Sequence, residues 1–154
     1  MTELTKMAGG CMCGAVRYET SGEPFSVAHC HCHSCRKHTG APVVTLAGFQ
    51  ENQVEFSGER RSLFESSPGA LRAYCKQCGT PLTWEGDGGD LGMIVELHLS
   101  TFDDPEALKP TAHAFYPERV SWFDIEDDLP RYAGFAELSE LLCHGPPGRS
   151  GTQD

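Results

Sequence analysis

Basic residues, apolar residues and long apolar runs are all in short supply in this chain. Lysine and arginine number 12 against 22 aspartates and glutamates, for a net charge of −10. A field of that sign argues against non-specific nucleic-acid binding and against attraction to an anionic membrane surface. It leaves room for a local basic pocket, for which Arg17, Arg36, Lys37, Arg60, Arg61 and Arg72 are the candidates. Hydrophobic residues make up 39% of the sequence. That is low for a domain held together by an apolar core alone, so a second source of cohesion is expected. Residues 1–10 contain no apolar run long enough for a signal peptide, and no other run approaches the roughly 20 residues of a membrane span. The expected location is therefore a reducing cytoplasm.

What the chain does have is cysteine. Seven of its eight cysteines fall into three clusters: Cys11-Met12-Cys13, Cys30-His31-Cys32-His33-Ser34-Cys35 and Cys75-Lys76-Gln77-Cys78. In a reducing compartment such spacings bind metal more often than they form disulfides. Four sulfurs complete a tetrahedral zinc site, while three leave one corner open. Two residues between Cys75 and Cys78 suit a tight turn that brings both sulfurs to one ion, and Gly79 suits the positive φ that follows such a turn. The Cys11–Cys13 spacing suits an extended segment, in which residues i and i+2 share a face. The two pairs together are expected to hold one structural zinc. Apparent zinc binding in small domains is on the order of 10–16 kcal/mol near neutral pH, comparable to the whole net stability of a domain. A redox role for the Cys75–Cys78 dithiol is the alternative.

Cys30, Cys32 and Cys35 are expected to hold a second zinc. If its fourth corner is open, the site suits chemistry on a thiol, with Arg36 and Lys37 beside it to stabilise thiolates or hold an anionic substrate. If one of His29, His31, His33 or His38 fills the corner, the site is a closed Cys3His knuckle. Spacing leaves both open. Any of these histidines could also move a proton, because imidazole titrates near neutrality. Cys143 lies outside every cluster and is expected to be unligated.

The rest of the chain reads as short β-rich runs between Gly and Pro punctuation, at 15–20, 26–29, 43–47, 53–56, 62–65, 71–75, 81–84 and 93–99. This spacing predicts a mainly β domain. Asp103-Asp104-Pro105-Glu106 predicts a brief helical turn with an aspartate cap and proline in its first turn. Residues 135–142 could form a second short helix. The length predicts one domain, which the family resemblance below bounds at 9–135. A C-terminal extension over 136–154 ends in a Gly, Pro and polar stretch that is expected to be mobile.

Three segments carry a family resemblance: Gly10-Cys11-Met12-Cys13-Gly14-Ala15-Val16-Arg17-Tyr18, then His29-Cys30-His31-Cys32-His33-Ser34-Cys35-Arg36-Lys37-His38-Thr39-Gly40, then Tyr74-Cys75-Lys76-Gln77-Cys78-Gly79-Thr80. Together they resemble the glutathione-dependent formaldehyde-activating enzymes over residues 9–135. The resemblance implies an Mss4-like β-sheet fold. It implies a structural zinc on Cys11, Cys13, Cys75 and Cys78, and a catalytic zinc on Cys30, Cys32 and Cys35; a bidentate thiol or oxidation of two of these three sulfurs could make that second zinc labile. It further implies a carbon–sulfur lyase that reversibly joins glutathione, as co-substrate, to formaldehyde as S-hydroxymethylglutathione. The alternatives are a related lyase for another thiol and aldehyde, or a non-catalytic zinc module or carrier. The expected partners are these small molecules, not nucleic acid or membrane. Exposed sheet edges make a homodimer reasonable.

Overall fold

The computed structural model describes residues 3–135. The proposed helix beyond Phe135, Cys143 and the C-terminal tail lie outside them. The described chain divides into two compact units interleaved in sequence. The first comprises residues 3–25 and Leu46–Leu108, and the second comprises Ser26–Thr45 and residues 109–135. The strands are β1 (Lys6–Gly10), β2 (Val16–Ser21), β3 (Ser26–Cys30), β4 (Val44–Gln50), β5 (Val54–Gly58), β6 (Ser62–Ser67), β7 (Ala70–Tyr74), β8 (Pro81–Asp87), β9 (Met93–His98) and β10 (Ala112–Ala114). The α-helix among the described residues is α1 (His33–Thr39). The mainly β expectation holds, and every run read from the sequence coincides with a strand.

In the first unit, β1 and β5 flank β2 antiparallel. Strand β2 shows the period-2 logic of a half-buried strand: Val16, Tyr18 and Thr20 are buried, while Arg17 and Glu19 face outward. The buried Tyr18 ring meets Phe102 edge-on at 5.3 Å and Phe56 at 6.1 Å. Its hydroxyl bonds Thr101 Oγ1 at 2.8 Å. Gly9 is required opposite this ring, since a Cβ there would collide with the Tyr18 hydroxyl and the Thr101 carbonyl. A second sheet in this unit runs β4-β9-β8-β7-β6, antiparallel throughout. Its interior includes Phe49, Leu82 and Leu97, all fully buried.

In the second unit, β10 lies parallel to β3. Ala28, Ala112 and Ala114 form a small core against Phe115 and Tyr132. Helix α1 follows β3 almost at once. The Cys32 sulfur caps its N-terminus by accepting from the Cys35 N–H, and Gly40, at φ 75°, closes its end by donating to the Arg36 carbonyl. The predicted turn near Pro105 is present in the first unit as a 3-10 turn, Pro105–Ala107, capped by Asp104.

Candidate metal centres and active site

The first centre is built from two backbone knuckles. In one, Cys11 N–H donates to the Val16 carbonyl and Gly14 N–H donates to the Cys11 carbonyl, both at 3.0 Å. In the other, Gly79 N–H donates to the Cys75 carbonyl at 2.8 Å and Cys75 N–H donates to the Thr80 carbonyl at 3.0 Å. Gly14 and Gly79 each sit at φ 80°, the left-handed region that disfavours a Cβ. Residues 12–13 form a turn and not the extended segment expected, so a reversal of the chain brings these two thiols together. The four sulfurs of Cys11, Cys13, Cys75 and Cys78 all lie within 4.8 Å of one another. Cys11 Sγ is 3.6 Å from Cys13 Sγ, which is 3.8 Å from Cys75 Sγ. Tetrahedral zinc with Zn–S bonds of about 2.3 Å places its sulfurs about 3.8 Å apart. A disulfide would need about 2.05 Å, and none of the seven described cysteines is in one.

The donor chemistry fits a cation too. Val16 N–H donates to Cys11 Sγ at 3.3 Å, and the Thr80 hydroxyl lies 3.1 Å from Cys78 Sγ. Thr80 draws the Cys78 thiol down to about 5. The Ala15 N–H is the largest influence on Cys13 and favours its thiolate, but the Cys11, Cys75 and Cys78 sulfurs and burial together outweigh it and push Cys13 up to about 12. Packed sulfurs cannot all ionise unless a positive charge joins them.

The second centre sits where β3 becomes α1. Cys30 ends the strand, Cys32 caps the helix and Cys35 lies in its first turn. Their sulfurs lie within 4.8 Å of one another, with Cys30 and Cys35 buried and Cys32 half-buried. The neighbouring Cys32 and Cys35 sulfurs, together with burial, push the Cys30 thiol far above its usual value. As in the first centre, ionising the set calls for a cation. Among the described residues, the set gathered at this distance consists of three sulfurs. His29 is gathered instead with His113 and Asp127.

Arg36 and Lys37 follow the last of these cysteines. Arg36 Nε donates to the His31 carbonyl and its Nη2 to the Glu118 carbonyl, both at 3.1 Å. Neither bond uses Nη1. Lys37 is exposed. The remaining basic candidates include several already engaged: Arg17 pairs with Asp103 at 2.9 and 2.5 Å, Arg61 grips Glu85 at 2.9 and 2.8 Å, and Arg72 bonds Ser66 at 3.1 Å. His33 is exposed and His38 half-buried.

Around the second centre the structure joins His31, one of the candidate histidines, to groups that the sequence did not single out. His31 is 1% exposed, and its Nε2 lies 2.8 Å from His113 Nδ1. His113 Nε2 lies 3.1 Å from both oxygens of Asp127. Asp127 also accepts from Arg131 Nη1 at 2.6 Å. Burial, and then the nearby His113, lower His31 to about 3 and His29 to about 4. Burial also lowers His113, against the pull of Asp127, and so favours the neutral ring. Although burial raises the Asp127 carboxyl, Arg131 and His113 outweigh it and keep the group ionised. Tyr116 stands edge-on to both His31 and His113, at 5.4 and 5.8 Å. Phe115, at φ 52°, turns the chain between β10 and Tyr116. His113 is hard to find from sequence because its partner His31 is 82 residues away. The one available signal is a polar ring alternating with alanines in Ala112-His113-Ala114.

Comparison with known proteins agrees with this architecture. A family model described as "Glutathione-dependent formaldehyde-activating enzyme" matches residues 6–118. The "Putative glutathione-dependent formaldehyde-activating enzyme" of Halomonas elongata is 26% identical over 153 residues, covering 92% of this chain and 96% of that protein. An uncharacterized lyase of Schizosaccharomyces pombe is 32% identical over 132 residues, covering 80% of this chain and 95% of that one. A crystal structure of a Rhodobacter sphaeroides protein superposes with a TM-score of 0.54 at 20% identity, covering 70% of this chain and all of that one. At that identity the likeness speaks to fold alone. The family match includes all three cysteine clusters and the strands and helix that carry them, and the chain belongs to the glutathione-dependent formaldehyde-activating enzyme family.

Proposed function

We propose that this chain is a carbon–sulfur lyase that reversibly adds the thiol of glutathione to formaldehyde, and that the reaction takes place at Cys30, Cys32 and Cys35. The observation that carries this reading is a set of three sulfurs, two of them on buried residues, separate in sequence from the four-sulfur set. In the forward direction a carbon–sulfur bond forms, the carbonyl π bond becomes a C–O single bond, and the thiol proton ends on oxygen. Zinc held by the three sulfurs would offer its remaining corner to the glutathione sulfur and favour the thiolate, which is the nucleophilic form.

The protein supplies the frame. Cys32 and Cys35 are pinned by the helix cap, and Cys30 by the end of β3. Arg36 is anchored through two backbone carbonyls, with Nη1 left for a carboxylate of the tripeptide. Lys37 adds an exposed positive charge one residue on. Cys11, Cys13, Cys75 and Cys78 hold a structural zinc in this reading. A cytoplasmic setting suits seven described cysteines without a disulfide. No helix among the described residues is long and apolar enough to cross a membrane.

Exchange NMR on mixtures of glutathione and formaldehyde tests the proposal. The zinc-loaded protein is expected to speed exchange between the free and hydroxymethyl forms above the spontaneous rate. The Cys35→Ser variant is expected to return it to background. Exchange at the spontaneous rate with fully loaded wild-type protein would remove glutathione and formaldehyde as substrates.

A further inference from the structure

Beyond the two sulfur sets, one more group of metal-type donors gathers among the described residues. His29, His113 and Asp127 each bring one ligand atom within 4.8 Å of the other two. The second unit's sheet explains their meeting. Strand β10 runs parallel to β3 with His113 in register beside His29, and the two rings are 4.9 Å apart. The chain after residue 127 is tied to β10: His113 N–H donates to the Pro130 carbonyl at 2.9 Å, and Tyr132 N–H donates to the His113 carbonyl at 2.8 Å. Successive residues of a strand point to opposite faces, so His29 looks away from Cys30 and this group is distinct from the three-sulfur set.

Each of the three side chains is anchored at one polar atom and leaves another for a ligand. His29 Nδ1 lies 2.8 Å from Thr45 Oγ1, and its Nε2 makes no hydrogen bond among the described residues. His113 Nδ1 lies 2.8 Å from His31 Nε2, and its Nε2 faces Asp127. Asp127 Oδ1 accepts from Arg131 Nη1 at 2.6 Å and from the Leu129 N–H at 3.0 Å, while Oδ2 meets His113 alone among the described residues. Metal-binding imidazoles and carboxylates are held in this manner, through the atom that does not bind.

The spacing fits an ion as well. His113 Nε2 stands 3.1 Å from both oxygens of Asp127. A single N–H aims best at one acceptor. Nitrogen and oxygen ligands about 2.1 Å from one ion stand about 3.0–3.4 Å apart, between right-angled and tetrahedral geometry. A hydrogen-bonded network alone also gives His29 Nε2 nothing to bind. The Arg131 charge is shared with Asp124, whose Oδ1 lies 3.7 Å from Nη2. His29 is half-buried and the Asp127 side chain is 22% exposed, so the group is not sealed from solvent.

We propose that His29 Nε2, His113 Nε2 and Asp127 Oδ2 form a metal centre separate from both cysteine sets, binding one divalent transition-metal ion. Two imidazoles and one carboxylate suit zinc or iron(II), and three protein ligands leave positions open to water or to a further ligand. Thr45, His31 and Arg131 are positioning residues that hold the far atoms of the three ligands. The centre stands whether or not the chain is the lyase proposed above.

The test uses protein given just enough zinc to fill its cysteine sets and then titrated with cobalt(II) as the probe. Wild type is expected to take up one cobalt per chain without releasing zinc. Its spectrum should show weak ligand-field bands and none of the intense sulfur-to-metal charge transfer of a thiolate site. Anomalous diffraction at the cobalt edge should place the ion on His29, His113 and Asp127. His29→Gln removes a half-buried ligand, and should weaken cobalt binding at least about a hundredfold, the upper end for a lost outer-shell partner, with zinc content unchanged. Absence of cobalt uptake overturns the proposal, as does uptake only in exchange for zinc. A cobalt ion found on sulfur or on the exposed His33 alone overturns it, and so does equal affinity in His29→Gln. The wild-type map decides the matter even if the variant fails to fold.

Discussion

The two sulfur clusters share a donor type and differ in almost everything else. The four-cysteine set is held by two turns whose polar groups answer each other through backbone bonds and Thr80. The three-cysteine set is held by a strand end and a helix cap, beside buried imidazoles and a carboxylate. Closed backbone knuckles leave little for a ligand to do. The helix start gathers three sulfurs among the described residues, and the hydrogen-bonded His31, His113 and Asp127 belong to the same unit. In the proposed function the first site braces and the second reacts.

The largest expected effect that would break this comparison is on the first centre. Cys75→Ser should unfold the protein, because zinc binding on the order of 10–16 kcal/mol is comparable to the whole net stability of a domain. Circular dichroism with zinc analysis reads this directly, and a folded, two-zinc Cys75→Ser protein would erase the distinction. Next comes Cys35→Ser, expected to lose one zinc per chain by mass spectrometry while the sheets survive thermal melting nearly unchanged. If Cys35→Ser melts like Cys75→Ser, both centres are structural.

A smaller effect isolates the knuckle backbone. A Cβ on Gly79 would meet nothing within 4 Å, so Gly79→Ala tests conformation without a clash. At φ 80° it should cost about 1–2 kcal/mol, seen as a lowered denaturation midpoint. The smallest effect concerns the second unit. Burial depresses His113 below its usual 6.5. Below pH 6.5 the unfolded chain therefore binds more protons than the folded one, and stability falls with pH until the folded value is passed. His113→Gln should flatten that slope in denaturant titrations across this range. An equal slope in both proteins would mean that the ring is not held neutral.

Much of the fold was legible because alternation survives in short strands: Val16, Tyr18 and Thr20 point inward wherever β2 is read. Strand β1 was missed since Lys-Met-Ala-Gly-Gly has little strand propensity. Its Gly9 is explained by the Tyr18 hydroxyl, a contact made only after folding. Strand β10 is three residues long and pairs with β3 across 84 positions of sequence. Helix α1, seven residues long, shows no apolar period, and its cap is a cysteine that spacing assigns to a metal. The cysteine sets were legible because metal geometry restricts local spacing. The chain from His31 through His113 to Asp127 was not, because hydrogen bonds between distant residues impose no local pattern.

The order and spacing of the cysteines were enough to divide the sulfurs into a set of four and a set of three, since ligand reach is a local property of the chain. Tertiary structure decided which polar groups join His31 and left its Nδ1 without a hydrogen-bond partner among the described residues. Those facts depend on where β10 and residues 124–131 come to rest, and only long-range packing sets that.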